Sequence, residues 1–280
     1  MRVDNAVIMA AGTSSRFAPL SYEKHKALTV VKGEVLIERQ IRQLHEAGIK
    51  DVYIVTGYKA EQFGYLASEH NVKLIHNSEY LTRNNNGSIR AAREVLNNSY
   101  ICSSDNYFNI NPFEQDVDDS YYAAEYSDGP TDEWCLEEDG SGYISKVTVG
   151  GRDSWYMMGH TFWREDFSAE FLRILDKTYD TPATRDNLWE KLFADHLDVL
   201  RMKIRKYDPG VIFEFDTLDE LRRFDDSYVD DSRSEILRRT ADELGIKQSE
   251  IVNINVIKSG SAEASGFEFD CPLGHRQILY

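Results

Sequence analysis

Gly12 lies in a run of small residues, Ala10-Ala11-Gly12-Thr13-Ser14-Ser15, followed by Arg16 and, ten residues further on, by Lys26. A glycine among small neighbours lets backbone N–H groups approach phosphate oxygens, and two spaced cations neutralise charge that the backbone cannot. The chemistry implied is the binding of a nucleoside triphosphate. The loop is neither G-x-x-x-x-G-K-[ST] nor G-x-G-x-x-G, and on composition alone it is an ordinary strand-to-turn junction. Asp105 and Asp216 offer a complement: the first follows Ile101-Cys102-Ser103-Ser104 and the second follows Ile212-Phe213-Glu214-Phe215. Strand-end aspartates commonly cap turns, but with a phosphate loop in place they suit Mg²⁺, which takes one or two carboxylates plus phosphate and water. All four tryptophans, Trp134, Trp155, Trp163 and Trp189, fall between residues 134 and 189, with Glu133 beside the first. Aromatic faces and a carboxylate fit a quaternary ammonium, which has no N–H to donate, although each single tryptophan is more simply core.

The elements that must position these residues are legible from periodicity. Residues 5–10 read as a buried strand; Leu36 to Ala47 has apolar residues at helical spacing and stops at Gly48. Strand Val52–Val55, helix Lys59–Glu69, strand Val72–Ile75, helix Gly87–Leu96 and strand Tyr100–Ser104 follow. Strands alternating with helices over short connections imply parallel pairing and a Rossmann-like half, whose ligands lie beyond the carboxyl ends of the strands. From about residue 120 the pattern changes to short aromatic strands at Tyr121–Glu125, Trp134–Leu136, Tyr143–Val149 and Trp155–Phe162. Helices Glu165–Tyr179 and Thr184–Asp195 follow, then Val199–Arg205 and Val211–Phe215. This stretch, about 120–210, reads as an insertion carrying a second substrate. Asp225 to Asp231 reads as a solvated charged linker, Ser232–Leu244 as an amphipathic helix and Ile251–Ile257 as a strand. Phe267-Glu268-Phe269 and Gln277–Tyr280 read as the arms of an unfinished hairpin at the end of a truncated chain. The organisation expected is a domain over 1–226 and an appendage over 227–280.

Composition narrows the partners. The 280 residues carry a formal charge of −16, with 41% hydrophobic and 12% aromatic residues. That charge disfavours nucleic acid and anionic membranes, because no basic patch is available to release counterions. Cys102, Cys135 and Cys271 are odd in number and widely spaced, which fits reduced thiols in a cytoplasmic protein better than disulfides or zinc. No apolar run approaches the roughly 18 residues of a membrane span.

The segment from Met9 to Leu28 resembles the sugar-nucleotide pyrophosphorylase and cytidylyltransferase motif, A-A-G-x-G-x-R followed by P-K-A-L. Ser14 stands at the second glycine and His25 at the proline. Asp105-Asn106-Tyr107, Asp132-Glu133-Trp134, Gly159-His160-Thr161-Phe162-Trp163, Asp186-Asn187-Leu188-Trp189 and Phe213-Glu214-Phe215-Asp216 are similar, in order and spacing, to CTP:phosphocholine cytidylyltransferases of the bacterial surface-choline pathway. The resemblance covers about residues 4–225. It implies an α/β fold of GT-A type, with a mixed, mainly parallel sheet and an inserted acceptor-binding subdomain, that makes CDP-choline and pyrophosphate from CTP and phosphocholine with Mg²⁺.

On this resemblance Arg16 and Lys26 are catalytic, Ala10 to Ser15 bind phosphate, and Tyr80, Asn84, Asn85 and Ser88 recognise the base. Asp105 and Asp216 hold the metal, while Trp134, Trp189, Trp163 and Glu133 hold choline. Asn86-Gly87 departs from the bulky aromatics of the family. The tail, from Ile254 to Gly260 and from Phe267 to Tyr280, is similar to the opening hairpin of choline-kinase-like phosphotransferases, without a kinase's catalytic residues. A sugar-1-phosphate nucleotidylyltransferase and a non-catalytic nucleotide-binding module stay open as alternatives, as do a homodimer and ethanolamine phosphate as acceptor.

Overall fold

Asn5–Ala10 (β1) is apolar on both faces, and Val7 and Ile8 are fully buried, which is the pattern of a strand at the centre of a sheet covered on both sides. The computed structural model describes residues 1–258 and 264–279. They divide into two compact units, Met1–Gly12 with Arg39–Phe213 and Thr13–Glu38 with Glu214–Tyr280.

In the first unit the helix α1 (Leu36–Glu46) leads to β2 (Val52–Thr56), α2 (Gly64–Glu69), β3 (Lys73–His76), α3 (Asn86–Ala91), β4 (Ser99–Ser103) and β5 (Asn106–Phe108). Two long strands follow, β6 (Tyr121–Glu138) and β7 (Ile144–Trp163), then α4 (Glu165–Thr178), α5 (Trp189–Ala194), β8 (Lys203–Lys206) and β9 (Ile212–Glu214). A seven-stranded sheet runs in the order β8-β6-β7-β4-β1-β2-β3. β1 is parallel to β2 and β4, and β3 to β2, whereas β7 is antiparallel to β4 and β6. The expected mixed, mainly parallel sheet is therefore present.

Two differences concern the acceptor half. The four short strands expected there are two long ones, and they extend the central sheet through the pairing of Ser99–Cys102 with His160–Trp163. Register shifts between Ser127 and Pro130 and between Thr131 and Trp134 interrupt the alternation that marks a strand in sequence. The helix expected over Thr184–Asp195 is split into two short helices, Pro182–Arg185 and α5. Outside the seven-stranded sheet, β5 pairs with β9, fastened by Asn109 N–H donating to Val211 O at 2.9 Å.

The second unit holds the cation-bearing segment and the tail. Helix α6 (Leu218–Phe224) starts with a capping box, Thr217 Oγ1 accepting from Glu220 N at 3.2 Å. Helix α7 (Glu235–Leu244) is capped by Ser234 and closes at Gly245 with φ +66°. Strands β10 (Val252–Lys258), β11 (Ala264–Cys271) and β12 (Gly274–Leu279) form an antiparallel sheet, so the expected hairpin has a third strand to steady it. The expected Ser259-Gly260 and Tyr280 lie outside the described residues. Asp225–Asp231 is solvated at five of its seven residues, but Asp225 and Tyr228 are buried, and the carboxylate of Asp225 accepts from Lys32 N and from Ser227. Residues on both sides of the boundary expected at 226 belong to this same unit.

Candidate active site

Both departures in the opening loop have a local physical account. Ser14 takes φ +50° and ψ +41°, the left-handed conformation that a glycine would adopt without cost, and its carbonyl accepts Phe17 N–H at 2.9 Å to start the 3-10 turn Ser15–Phe17. His25 takes φ −60° and ψ +137°, the torsions of a proline. Unlike proline, it also caps: its Nδ1 accepts from Ala27 N at 3.1 Å and opens the turn Lys26–Leu28. Gly12 is exposed, and a β-carbon on it would meet open space, so the backbone there is accessible to a ligand.

The two cations of this segment converge on one carboxylate. Arg16 Nη1 stands 2.6 Å from Asp216 Oδ2 and Lys26 Nζ 3.0 Å from Asp216 Oδ1. The Lys26 side chain is only 5% exposed, against 25% for Asp216 and 70% for Arg16. A buried ammonium needs a counter-charge, and Asp216 supplies it. Asp216 is itself held, because its N–H and that of Thr217 donate to Glu220 Oε2 at 2.7 and 2.9 Å. Glu214 stands two residues before it. Glu214 and Asp216 make a pair of hard oxygen donors of the type Mg²⁺ prefers. The sequence motif singles out Asp216 and not Glu214, whose position at the end of a strand is the available signal.

In the first unit Asp105 occupies the turn between β4 and β5 and is half-buried. Gln40 Nε2 donates to the carbonyls of Ser103 and Asn106 at 2.9 and 2.8 Å, one on each side, so the turn that carries Asp105 is fixed in place. Ala11 O accepts from Tyr58 N at 3.1 Å. Gly57 is there because a β-carbon would stand 2.6 Å from the Tyr80 side chain and 2.8 Å from Ala11 O.

The residues expected to read the base are occupied within the protein. Asn84 N donates to Arg185 O at 3.2 Å and Asn84 Nδ2 to Asp186 O at 3.1 Å. Asn85 Oδ1 accepts from Trp189 N at 2.7 Å while its Nδ2 donates to Glu190, and Asn86 Nδ2 donates to Asn187 O at 2.8 Å. Residues 84–86 therefore clasp residues 185–190, and these bonds draw out the backbone between the two short helices. Asn84 and Asn85 thus serve as clasp residues within the protein. Ser88 is buried and accepts from Asn77 Nδ2 at 3.3 Å, and Tyr80 packs against the core.

Trp163 and Trp189 are core residues, 0% and 1% exposed, with ring centroids 5.1 Å apart; Trp189 also stacks on Tyr122 at 5.5 Å. Their faces are spent on packing, which corrects the expectation that they cage a cation. Trp134 is half-buried against the same core and Glu133 is exposed. Glu190, which no sequence motif marks, is half-buried in the first turn of α5. Its carboxylate accepts from Asn85 Nδ2 at 3.0 Å and Tyr122 Oη at 3.3 Å. Desolvation pushes its pKa up to about 7, with the two donors pulling the other way.

Comparison with known proteins gives a consistent picture. Residues 6–107 match the MobA-like NTP transferase domain. The chain is 31% identical over 221 residues to a choline-phosphate cytidylyltransferase of Streptococcus pneumoniae, covering 79% of this chain and 96% of that protein. It is 33% identical over 229 residues to a 2-aminoethylphosphonate cytidylyltransferase of Lancefieldella rimae, covering 80% and 93%. The solved CTP:phosphocholine cytidylyltransferase of S. pneumoniae superposes with a TM-score of 0.77 at 32% identity, covering 81% of this chain and 99% of that one. An inositol-1-phosphate CTP transferase of T. maritima, at 13% identity and a TM-score of 0.62, shares the fold.

Proposed function

The chain belongs to the choline-phosphate cytidylyltransferase family of nucleotidyltransferases, and from that premise we propose that it transfers CMP from CTP to phosphocholine, yielding CDP-choline and pyrophosphate. The observation that carries the chemistry is the pairing of Arg16 and Lys26 on Asp216. A phosphocholine oxygen attacks the α-phosphorus in line, forming the new P–O bond as the bond to pyrophosphate breaks. Phosphocholine is already anionic, so no general base is needed, and catalysis reduces to positioning and charge neutralisation. Lys26, buried and preorganised, neutralises charge growing at the α-phosphate. Arg16, exposed on its long side chain, takes the leaving pyrophosphate. Residues 10–15 supply backbone N–H groups to the phosphates.

Asp105 and Asp216, with Glu214, are the residues that would hold Mg²⁺; the hard oxygen donors at 214 and 216 fit that ion, and Asp105 leads directly into the strand that pairs with β9. The ion would supply Lewis-acid stabilisation of phosphate charge. Trp134 and Glu133 are the proposed choline contacts. Three free cysteines fit a cytoplasmic setting.

One observation favours a second acceptor. Burial of Trp163 and Trp189 removes two faces from a quaternary-ammonium cage, and the L. rimae relative is named for 2-aminoethylphosphonate. Pyrophosphate release over a matrix of CTP, UTP and dTTP against phosphocholine, ethanolamine phosphate, 2-aminoethylphosphonate and hexose 1-phosphates, with and without Mg²⁺, decides between them. Turnover with CTP and phosphocholine above all other pairs is the expected result; preference for the phosphonate or a hexose phosphate reassigns the acceptor, and no release with any pair overturns the reading.

A further inference from the structure

Lys26 lies in a short irregular segment of turns, and the segment is fastened on both of its sides. Upstream, Glu23 Oε1 accepts from Ile236 N at 2.9 Å, in the first turn of α7. Downstream, Val30 O accepts from Tyr228 Oη at 2.7 Å and from Arg233 Nη1 at 3.2 Å, and Lys32 N donates to Asp225 Oδ2 at 2.7 Å. Arg233 is fully engaged in this fastening, since it also donates to Tyr228 Oη at 3.1 Å and to Ser227 Oγ at 2.8 Å, and its guanidinium lies 4.3 Å over the Tyr228 ring. It does so from a backbone φ of +57°, a conformation that side-chain-bearing residues rarely adopt, pinned by its N–H donating to Asp231 Oδ1 at 2.9 Å. Strand β10 lies against the Ser15–Phe17 turn that carries Arg16. The seam is not packed solid: a cavity of about 140 Å³ lies between Glu23, Val30, Tyr228 and Arg233. Hydrogen bonds therefore cross this seam beside the cavity, with the Tyr228 ring itself buried.

We propose that Tyr228 and Arg233 are positioning residues, which act through Val30 to hold Lys26 in its transfer geometry, so that residues 225–236 are a working part of the catalytic loop. The proposal rests on the nucleotidyl-transfer reading for its kinetic consequence but not for its structural one. Loss of the brace frees the Lys26 segment, lowering turnover while leaving the acceptor contacts alone.

The test uses the full chain carrying Tyr228→Phe, Arg233→Ala or Arg233→Lys, each alone and combined with Lys26→Ala. Amide hydrogen exchange is followed in peptides spanning residues 26–32, and kcat and KM are measured for CTP and the acceptor. Arg233→Ala and Tyr228→Phe are expected to speed exchange over 26–32 by about fivefold or more, with distant peptides unchanged. They are expected to lower kcat by about threefold to tenfold with acceptor KM within about twofold, and to cost less than about twofold further in the Lys26→Ala background. Arg233→Lys, which keeps a cation, should recover part of the loss. Unchanged exchange over 26–32, or losses that multiply fully with Lys26→Ala, would overturn the proposal. Tyr228→Phe removes a single oxygen and keeps the ring, which guards against a variant that merely fails to fold. Absence of pyrophosphate release in the unmodified protein would remove the transferase reading, while the exchange measurement still decides the brace.

Discussion

At the scale of single residues, the ion triad sets the terms. Lys26→Ala and Asp216→Ala should each lower turnover by at least about tenfold, a barrier change of about 1.4 kcal/mol, read from pyrophosphate release. Arg16→Ala should cost less at saturating CTP, since an exposed guanidinium holds its partner against water. Ser14 makes a separate prediction. Its φ of +50° costs a side-chain-bearing residue about 1 kcal/mol, so Ser14→Gly should leave unfolding free energy equal or slightly higher despite the added freedom of glycine in the unfolded chain. A clear destabilisation in urea would show that the Ser14 side chain holds the loop by bonds of its own.

At the scale of elements, the clasp between residues 84–86 and 185–190 fixes how α5 presents Glu190. Asn85→Ala removes the acceptor for Trp189 N and the donor to Glu190 together, and should lower stability by about 1–3 kcal/mol in chemical denaturation. Glu190 also has a pH signature. Its folded pKa is raised above the unfolded value, so the folded state holds its proton over a window in which the unfolded state has released it. This group's contribution to stability is full below about pH 4.5 and declines as pH rises toward about 7. Glu190→Gln, an uncharged mimic, should flatten that part of the stability profile. The parallel strands of the first half and the left-handed turn of the opening loop were legible because periodicity and motif spacing are local signals. The clasp was not, since Asn84 and Asn86 find main-chain carbonyls about a hundred residues away. The long β6–β7 hairpin was hidden by its register shifts, and the burial of Trp163 and Trp189 by their similarity, as letters, to binding aromatics.

At the scale of the whole molecule, 48 acidic against 32 basic residues make the folded protein self-repelling. Moderate salt should therefore raise the melting temperature, even as it weakens exposed ion pairs, and a fall would show that those pairs dominate. Acid should act through His160, which is fully buried beside Tyr121 with its Nε2 2.9 Å from Tyr121 Oη. Burial lowers its pKa to about 3, so the unfolded state binds a proton that the folded state refuses. Stability from this group is complete above about pH 6.5 and is lost as pH falls toward 3; His160→Gln, which can still bond Tyr121 but does not titrate, should reduce that slope. The opposite tendency of Glu190 places the optimum between the two effects.

Through Asn84 and Asn86 the clasp grips Asp186 and Asn187 by their carbonyl oxygens. Every amino acid offers that same oxygen. The side chains at these two positions can therefore drift from one lineage to another without dissolving the loop.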